Sequence, residues 1–323
     1  MTKRIILFVL TAIFLSNLPV YTQSSADEDT SIIQIGSFNI EWFPCKEDGE
    51  MMKKYGINLR IPPQGQATDI PALFNLLKKL DIELLGLVEV VDTQLLQEKA
   101  VEYLGPQYKF IYAPSPGSQK VGFLYDSSVL ELVGKPQVYM DVALKPDSWL
   151  RPAFRAYFKA LKTGFDFHAV VVHLKAGPAG WDQRQKQWAV LERILEQVQN
   201  DTGDKDVVLM GDFNNVSKLG YDEFKPLMEK MGFYWATSEI ADSGYTNYWQ
   251  PDYREERIQG SLIDQIFISR GALEEYVKNS VEVGGMCRDG KPEYKGKAIP
   301  EYREKISDHC PVYCSFLADK DND

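Results

Sequence analysis

Six stretches of this chain end an apolar run on side chains that can bind a cation or move a proton. Asn39 and Glu41 close residues 32–42, Glu89 follows Leu84-Leu85-Gly86-Leu87-Val88, and His173 follows Val170-Val171-Val172. Asp212 and Asn214 follow Val207-Val208-Leu209-Met210, Asp264 lies within residues 262–268, and Asp308 and His309 precede the last apolar run, 311–317. Carboxylate and amide oxygens are what hard divalent cations take as ligands. Imidazole is the side chain whose proton comes and goes near neutral pH. One such strand end alone reads equally well as a solvated terminus. Six together point to a site built on the edge of a sheet.

The elements that must position these groups can be read from periodicity. Residues 32–42 are β-branched and aromatic and stop at Pro44, which predicts a strand. Residues 82–88 form a nearly continuous apolar run, a buried strand. Strand pairs are expected at 109–113 with 121–125 and at 153–161 with 165–174, and single strands at 206–210, 262–268 and 311–317. A helix capped by Thr68 or Asp69 should run to about Lys79, with Ile70, Leu73, Phe74, Leu77 and Leu80 on one face. A second, amphipathic helix is expected at 181–198 and a third at 222–231. Many strands with few helices between them do not make a regular βαβ alternation. Two sheets packed face to face, with helices outside, would bury such strands on both faces.

The chain has 323 residues and a net charge of −10. An acidic chain gains no general attraction for polyanions, which disfavours a binder that works through a basic surface. It leaves open an enzyme that neutralises phosphate locally. Lys3 and Arg4 precede an apolar run over residues 5–15 and a polar, small-residue segment at 22–26. That is the layout of a signal peptide, so residues 1–25 are assigned to it, 26–318 to one domain and 319–323 to an acidic tail. A secreted or periplasmic protein without stable membrane association, and a monomer, is expected. Export makes Cys45, Cys287, Cys310 and Cys314 potential disulfide partners. Cys310 and Cys314 on one strand would stand about 13 Å apart, too far to bridge. A Cys45–Cys287 bridge between two loops is the pairing considered.

In order along the chain, Ser37-Phe38-Asn39-Ile40-Glu41-Trp42, Leu87-Val88-Glu89-Val90, Val172-His173-Leu174-Lys175, Gly211-Asp212-Phe213-Asn214, Ile263-Asp264-Gln265-Ile266 and Ser307-Asp308-His309-Cys310 resemble the motifs of the endonuclease/exonuclease/phosphatase superfamily. Each motif is short; six in order, across residues 33–316, carry the resemblance. It implies an α+β fold, a four-layer α/β/β/α sandwich of the deoxyribonuclease I-like kind, and divalent-metal phosphoester hydrolysis. Such hydrolysis requires neutralising charge, aligning a water and protonating a leaving oxygen. Glu89 and Asn39 are the first candidate ligands for Mg2+ (or Mn2+ or Ca2+), with Glu41 ranked below and Asp308 assisting. His309 is the candidate general base. The resemblance implies that Asp264 orients it and that Asp212 and Asn214 hold water and a phosphate oxygen. Some relatives use this Asp as the base instead. His173 is assigned to the leaving-group side.

Arg151 resembles a phosphate contact, and Arg155 could share its face, whereas Arg184 reads as a surface or salt-bridging residue. His168 lies an odd number of residues from His173, hence on the opposite face of its strand, and reads as structural. Pancreatic-type deoxyribonucleases carry a Glu that supports the first His. Ser118-Gln119-Lys120 offers no acid there. The expected activity is a nuclease acting on DNA or RNA, with Tyr248 or Trp249 as a base-stacking candidate. A phosphatase or phospholipid phosphodiesterase is the alternative on the same fold, and a non-catalytic binding protein is the third reading.

Overall fold

The apolar strands pair into two six-stranded sheets. The computed structural model describes residues 32–45, 50–58, 66–145, 149–162, 164–201, 203–215, 224, 228–252, 254–318 and 321. The first sheet joins β1 (Ile32–Phe43), β2 (Leu84–Val90), β3 (Tyr108–Tyr112), β4 (Lys120–Asp126), β13 (Glu282–Val283) and β15 (Val312–Leu317) in the order β13-β15-β1-β2-β4-β3. The second joins β5 (Leu130–Tyr139), β6 (Ala153–Ala160), β7 (Asp166–His173), β8 (Val207–Asp212), β9 (Tyr234–Trp235) and β12 (Asp264–Ile268) in the order β5-β6-β7-β8-β12-β9. A small third sheet holds β10 (Asn247–Trp249), β11 (Arg257–Ser261) and β14 (Glu293–Lys295).

Alternation along each strand divides the core into layers. Ile33, Ile35, Leu84, Phe123, Phe154, Phe158, Val171 and Met210 fill the space between the sheets. The opposite face of β1 and β2 packs Phe38, Leu85 and Leu87 against the helices Ile70–Leu80 and Thr93–Leu104. The opposite face of β7 and β8 packs Val170, Val172 and Leu209 against Trp188, Leu191 and Leu195 of the helix Trp181–Asp201. The expected four layers are therefore present. Where Gly86 faces the other sheet, an added Cβ would stand 3.0 Å from Met210 and Val171. The close approach of the two sheets depends on that missing methyl.

At the centre of each sheet lies a parallel pair, β1 with β2 and β7 with β8. Each pair is flanked by an antiparallel strand, β15 beside β1 and β12 beside β8. Parallel neighbours send their C-terminal ends to the same side, and antiparallel neighbours bring their N-terminal ends there. One end of the sandwich thus gathers the ends of β1, β2, β7 and β8 and the starts of β12 and β15.

The helix expected near residue 68 runs over Ile70–Leu80, with Asp69 Oδ1 accepting from Ala72 N at 3.0 Å as its cap. Phe224 and residues 228–231 are helical; the rest of the expected 222–231 helix lies outside the described residues. So do residues 1–25, and all but one residue of 319–323. The Cys45–Cys287 pairing is not formed. Cys287 bridges Cys310, Cα to Cα 6.1 Å, while Cys45 and Cys314 are free and buried. Cys45 packs with Met52 and Ile57, whereas Cys287 and Cys310 share a cluster with Tyr248 and Ile258. Cys310 and Cys314 are not bridged, as their spacing required.

Candidate active site

Strand alternation alone would turn Glu89 to the wrong face. Leu85 and Leu87 face the helices, and Glu89 shares their parity. The ladder between β2 and β4 shifts register between Leu87 and Val90, and Glu89 takes φ 62°. Val90, three residues after Leu87, is then back on the helix side. This bulge frees Glu89 from the alternation. On β1 the same device recurs. Register shifts between Asn39 and Phe43, with Glu41 at φ 39° and Trp42 at φ 54°. Backbone strain of about 1–3 kcal/mol at each such residue persists only where its surroundings enforce it.

Asn39 is the hub. Its Nδ2 donates to Glu89 Oε1 and to Asp212 Oδ2, each at 3.1 Å, and lies 3.3 Å from His309 Nε2. Its Oδ1 accepts from Glu41 N at 3.0 Å, and its backbone oxygen accepts from Ser307 Oγ at 2.8 Å. Ser307 Oγ also accepts from His309 N at 3.0 Å. Glu41 Oε2 accepts from Asp308 N at 2.8 Å, so this carboxylate braces the Ser307–Asp308–His309 turn. Trp42 N donates to Glu89 Oε2 at 3.1 Å.

Across from β1, Asp264 pairs with Asp212 in the β12–β8 ladder, and His173 pairs with Asp212 in the β7–β8 ladder. Asp264 Oδ2 stands 2.8 Å from His309 Nδ1. Thr246 Oγ1 accepts from Asp264 N at 3.0 Å, holding the strand start that carries this carboxylate. His309 Nε2 lies 3.8 Å from both Asp212 Oδ2 and Asp308 Oδ1, a gap that a water or a phosphoryl oxygen can fill. Beneath Asp212, Gly211 takes φ 142°, and a Cβ there would stand 2.0 Å from Val172 O. Only glycine fits that close pairing.

The other side of the site is basic. His173 Nε2 lies 3.5 Å from Asp212 Oδ2 and 3.7 Å from Glu89 Oε1. Arg151 Nη2 and Asn214 Nδ2 both donate to Leu174 O, at 3.0 and 3.2 Å. That shared carbonyl fixes Arg151 beside His173 and Asn214. Arg151 is only 8% exposed, and its Nε has no hydrogen-bond partner among the described residues. Arg184 is not the surface residue expected from its helix. It is 2% exposed and donates to Lys175 O and Gly177 O, each at 2.7 Å. Gln187 accepts from Lys175 N at 2.8 Å and donates to Val142 O at 2.9 Å. Two residues of one helix therefore brace the turn after His173.

Electrostatics divides the two histidines. Burial lowers the His309 pKa, but Asp264, Asp308 and Asp212 outweigh it and hold the ring well above the usual histidine range. Burial pushes His173 well down, and Arg151, His309 and Lys175 push the same way. Burial also raises Asp212, with Asp264 and Glu89 adding to the rise. Glu89 is raised by burial and by Asp308. No acid at residues 118–120 supports His173, and its Nδ1 has no hydrogen-bond partner among the described residues.

All ten residues singled out in the sequence as site candidates lie at this end of the sandwich. Arg155 does not share the surroundings of Arg151; its charge acts on His168. His168 lies on the helix-facing side of β7, packed at a tilt on Tyr157 with ring centroids 4.4 Å apart. Tyr248 is fully buried among Tyr245 and Tyr294, which removes it as a base-stacking surface. Thr246, Ser307, Arg184 and Gln187 were not foreseen as supports. Each acts on backbone groups, which no residue pattern announces.

The family model described as Endonuclease/Exonuclease/phosphatase family matches residues 36–309. The chain belongs to this family. A "Deoxyribonuclease" of Thioalkalivibrio sp. (strain K90mix) is 23% identical over 269 residues, 77% of this chain and 66% of that protein's length. Among solved structures, the endonuclease/exonuclease/phosphatase family protein from Bacteroides thetaiotaomicron superposes with a TM-score of 0.57 at 17% identity, covering 88% of this chain and 98% of that one. The mannosyl-6-phosphatase of the same species, strain VPI-5482, gives 0.57 at 17%, covering 88% and 99%. TDP2 of D. rerio complexed with single strand DNA product gives 0.59 at 16%, covering 88% and 99%. At these identities the structural likenesses concern the fold. For an endonuclease/exonuclease/phosphatase family member, a buried group that could hold a metal is in place. Ligand atoms of Asp212, Asp264 and His309 lie within 4.8 Å of one another.

Proposed function

We propose that this chain is an exported, divalent-cation-dependent phosphodiesterase that cleaves DNA or RNA endonucleolytically by attack of water. The observation that carries the reading is the convergence on Asp212 Oδ2 of Asn39 Nδ2 at 3.1 Å, His173 Nε2 at 3.5 Å and His309 Nε2 at 3.8 Å. Asp264 fixes the ring of His309, which keeps its proton and offers Nε2–H to a phosphoryl oxygen. Asp212, raised by burial, takes the proton of the attacking water, which Asn214 helps to hold. Of the two bases left open in the sequence, this reading takes the aspartate in place of His309. Neutral His173 donates a hydrogen bond to the leaving oxygen, and the free edge of the Arg151 guanidinium takes phosphate.

The donor set suits a hard cation. Glu89 is a mostly buried carboxylate near Asp308, and Asn39 lies against it through Nδ2 while its Oδ1 accepts from Glu41 N, so a turn of the amide would present that oxygen to the ion. Asp264 is already committed to His309, so Glu89, Asn39 and, at the rim, Asp308 are the residues that would hold the ion; Glu41 keeps an oxygen on Asp308 N. Magnesium is the first candidate, with manganese or calcium sharing its oxygen chemistry. When bound it would supply charge that polarises the phosphoryl group.

Purified protein with supercoiled plasmid, single-stranded oligonucleotide or RNA and Mg2+ should produce internal cuts that EDTA stops and added Mg2+ restores. If all three stay intact, the reading fails. Turnover confined to sugar or inositol phosphates, or to sphingomyelin, would move the chain to the phosphatase or phospholipase alternative. Export is supported by Lys3, Arg4 and the apolar run after them, and by the Cys287–Cys310 disulfide, which suits an oxidising compartment. The mass of the mature N-terminus tests it, and light scattering tests the proposed monomer.

A further inference from the structure

Beyond the reacting phosphate, the basic side of the site continues outward into groups that the proposed chemistry leaves unused. Lys175 follows His173 by two residues and is half-buried. Its ammonium has no carboxylate partner among the described residues, and the nearby charges acting on it are Arg151 and Arg184. Its stem lies over Gly180, where an added Cβ would stand 2.6 Å from Lys175 Cγ. The side chain is therefore laid in a place cleared for it.

Two residues before Arg151 stands Trp149, 78% exposed, the most exposed large apolar side chain of the described residues. Two residues of chain span at most about 7 Å, so the backbones of Trp149 and Arg151 lie within that distance of each other. The Trp149 carbonyl lies 3.9 Å from where a Cβ of Gly117 would stand, so its backbone rests against the loop between β3 and β4. Trp249, 39% exposed, belongs to the His309 side.

An exposed tryptophan alone is ordinary. Beside an unpaired cation and a buried Arg with a free Nε, it has the composition of a single-strand platform, in which cations track the backbone and an aromatic ring stacks a base. We propose that Trp149 and Lys175 form a binding zone for single-stranded nucleic acid, Trp149 stacking a nucleobase and Lys175 holding the phosphate next to the one at Arg151. A duplex would keep its bases stacked inside and offer Trp149 no face. This names the substrate class of the proposed nuclease and rests on that reading, but binding can be measured without cleavage.

The experiment titrates a fluorescent single-stranded 12-mer by anisotropy into His309→Ala protein, alone and with Trp149→Ala, Trp149→Phe or Lys175→Ala added. One stacked base corresponds to about 1–3 kcal/mol, so Trp149→Ala should weaken binding about 5- to 150-fold, and Trp149→Phe should retain most of it. Lys175→Ala should flatten the slope of log affinity against log salt by about 0.7. Binding within two-fold of the parent for Trp149→Ala, an unchanged salt slope, or a preference for duplex overturns the proposal. So does a Trp149 effect seen only on phospholipid vesicles. Trp149-dependent binding without cleavage by the unsubstituted protein would instead defeat the proposed hydrolysis and leave the binding zone standing.

Discussion

The two flanks of the site use the same side chain to opposite ends. On one flank, His309 sits among Asp264, Asp308 and Asp212 and is held in its charged form. On the other, His173 sits beside Arg151 and Lys175, is fully buried, and is held neutral. The strands that deliver them differ in the same sense. His309 comes from the turn into β15, fastened to β12 through Asp264, whereas His173 ends β7, next to the bonds that Arg151 and Asn214 make to Leu174 O. Burial, the largest influence on His173, and the acids around His309 thus set the two rings apart, with Asp212 shared between them. In the proposed reaction, acids would handle the proton on one side and bases would receive the phosphate on the other.

The largest expected effect breaks the acidic flank. Asp212→Asn should lower kcat on a phosphodiester by about 10³- to 10⁴-fold, because it removes both the proton acceptor and a neighbour of His309. Loss of less than ten-fold would return the role of base to another group. Asp264→Asn should cost about 10²- to 10³-fold. It should also move the alkaline limb of the pH–rate profile downward, since removing an acid beside His309 lets the ring lose its proton at lower pH. An unmoved limb would show that protonated His309 is not what the profile reports.

Smaller effects sharpen the contrast. His173→Gln keeps a neutral donor on the basic flank and should cost about 10- to 100-fold with the alkaline limb in place. A shift of that limb would mean that His173, and not His309, sets it. The smallest effect isolates burial from the site's field. Glu83, away from the site, is pushed up to about 7, chiefly by burial. An acid whose folded pKa exceeds its unfolded value contributes stability at low pH that is lost as pH rises through the folded value. Glu83→Gln should therefore raise stability by about 1–2 kcal/mol at pH 8 and leave it unchanged near pH 4, as read by urea unfolding. A gain of equal size at both pH values would refute the assignment.

The long apolar strands and the two amphipathic helices were legible because one face of each had to be buried. The helix Thr93–Leu104 was not, because only Leu96 and Ala100 are buried on it. Strand β5 buries only Leu130 fully, carries Gly134 and Pro136, and shifts register between Val133 and Gln137, so it lacks an alternating pattern. The third sheet joins β10, β11 and β14 across distant segments that no local signal connects. Residue types at the site were legible. That Glu89 leaves the parity of Leu85 and Leu87 was not, since a left-handed backbone at a glutamate has no signature. The partner of Cys287 was likewise decided by which loops meet.

The two register shifts carry a constraint of their own. Between Leu87 and Val90 strand β2 carries one residue more than its partner β4, and between Asn39 and Phe43 strand β1 carries two more than β2. Deleting one at the Leu87–Val90 shift would restore an unbroken β2–β4 ladder and rotate the carboxylate away from the proposed cation site, with every named side chain still present in the gene. A lineage can exchange residues at these two places more freely than it can gain or lose one.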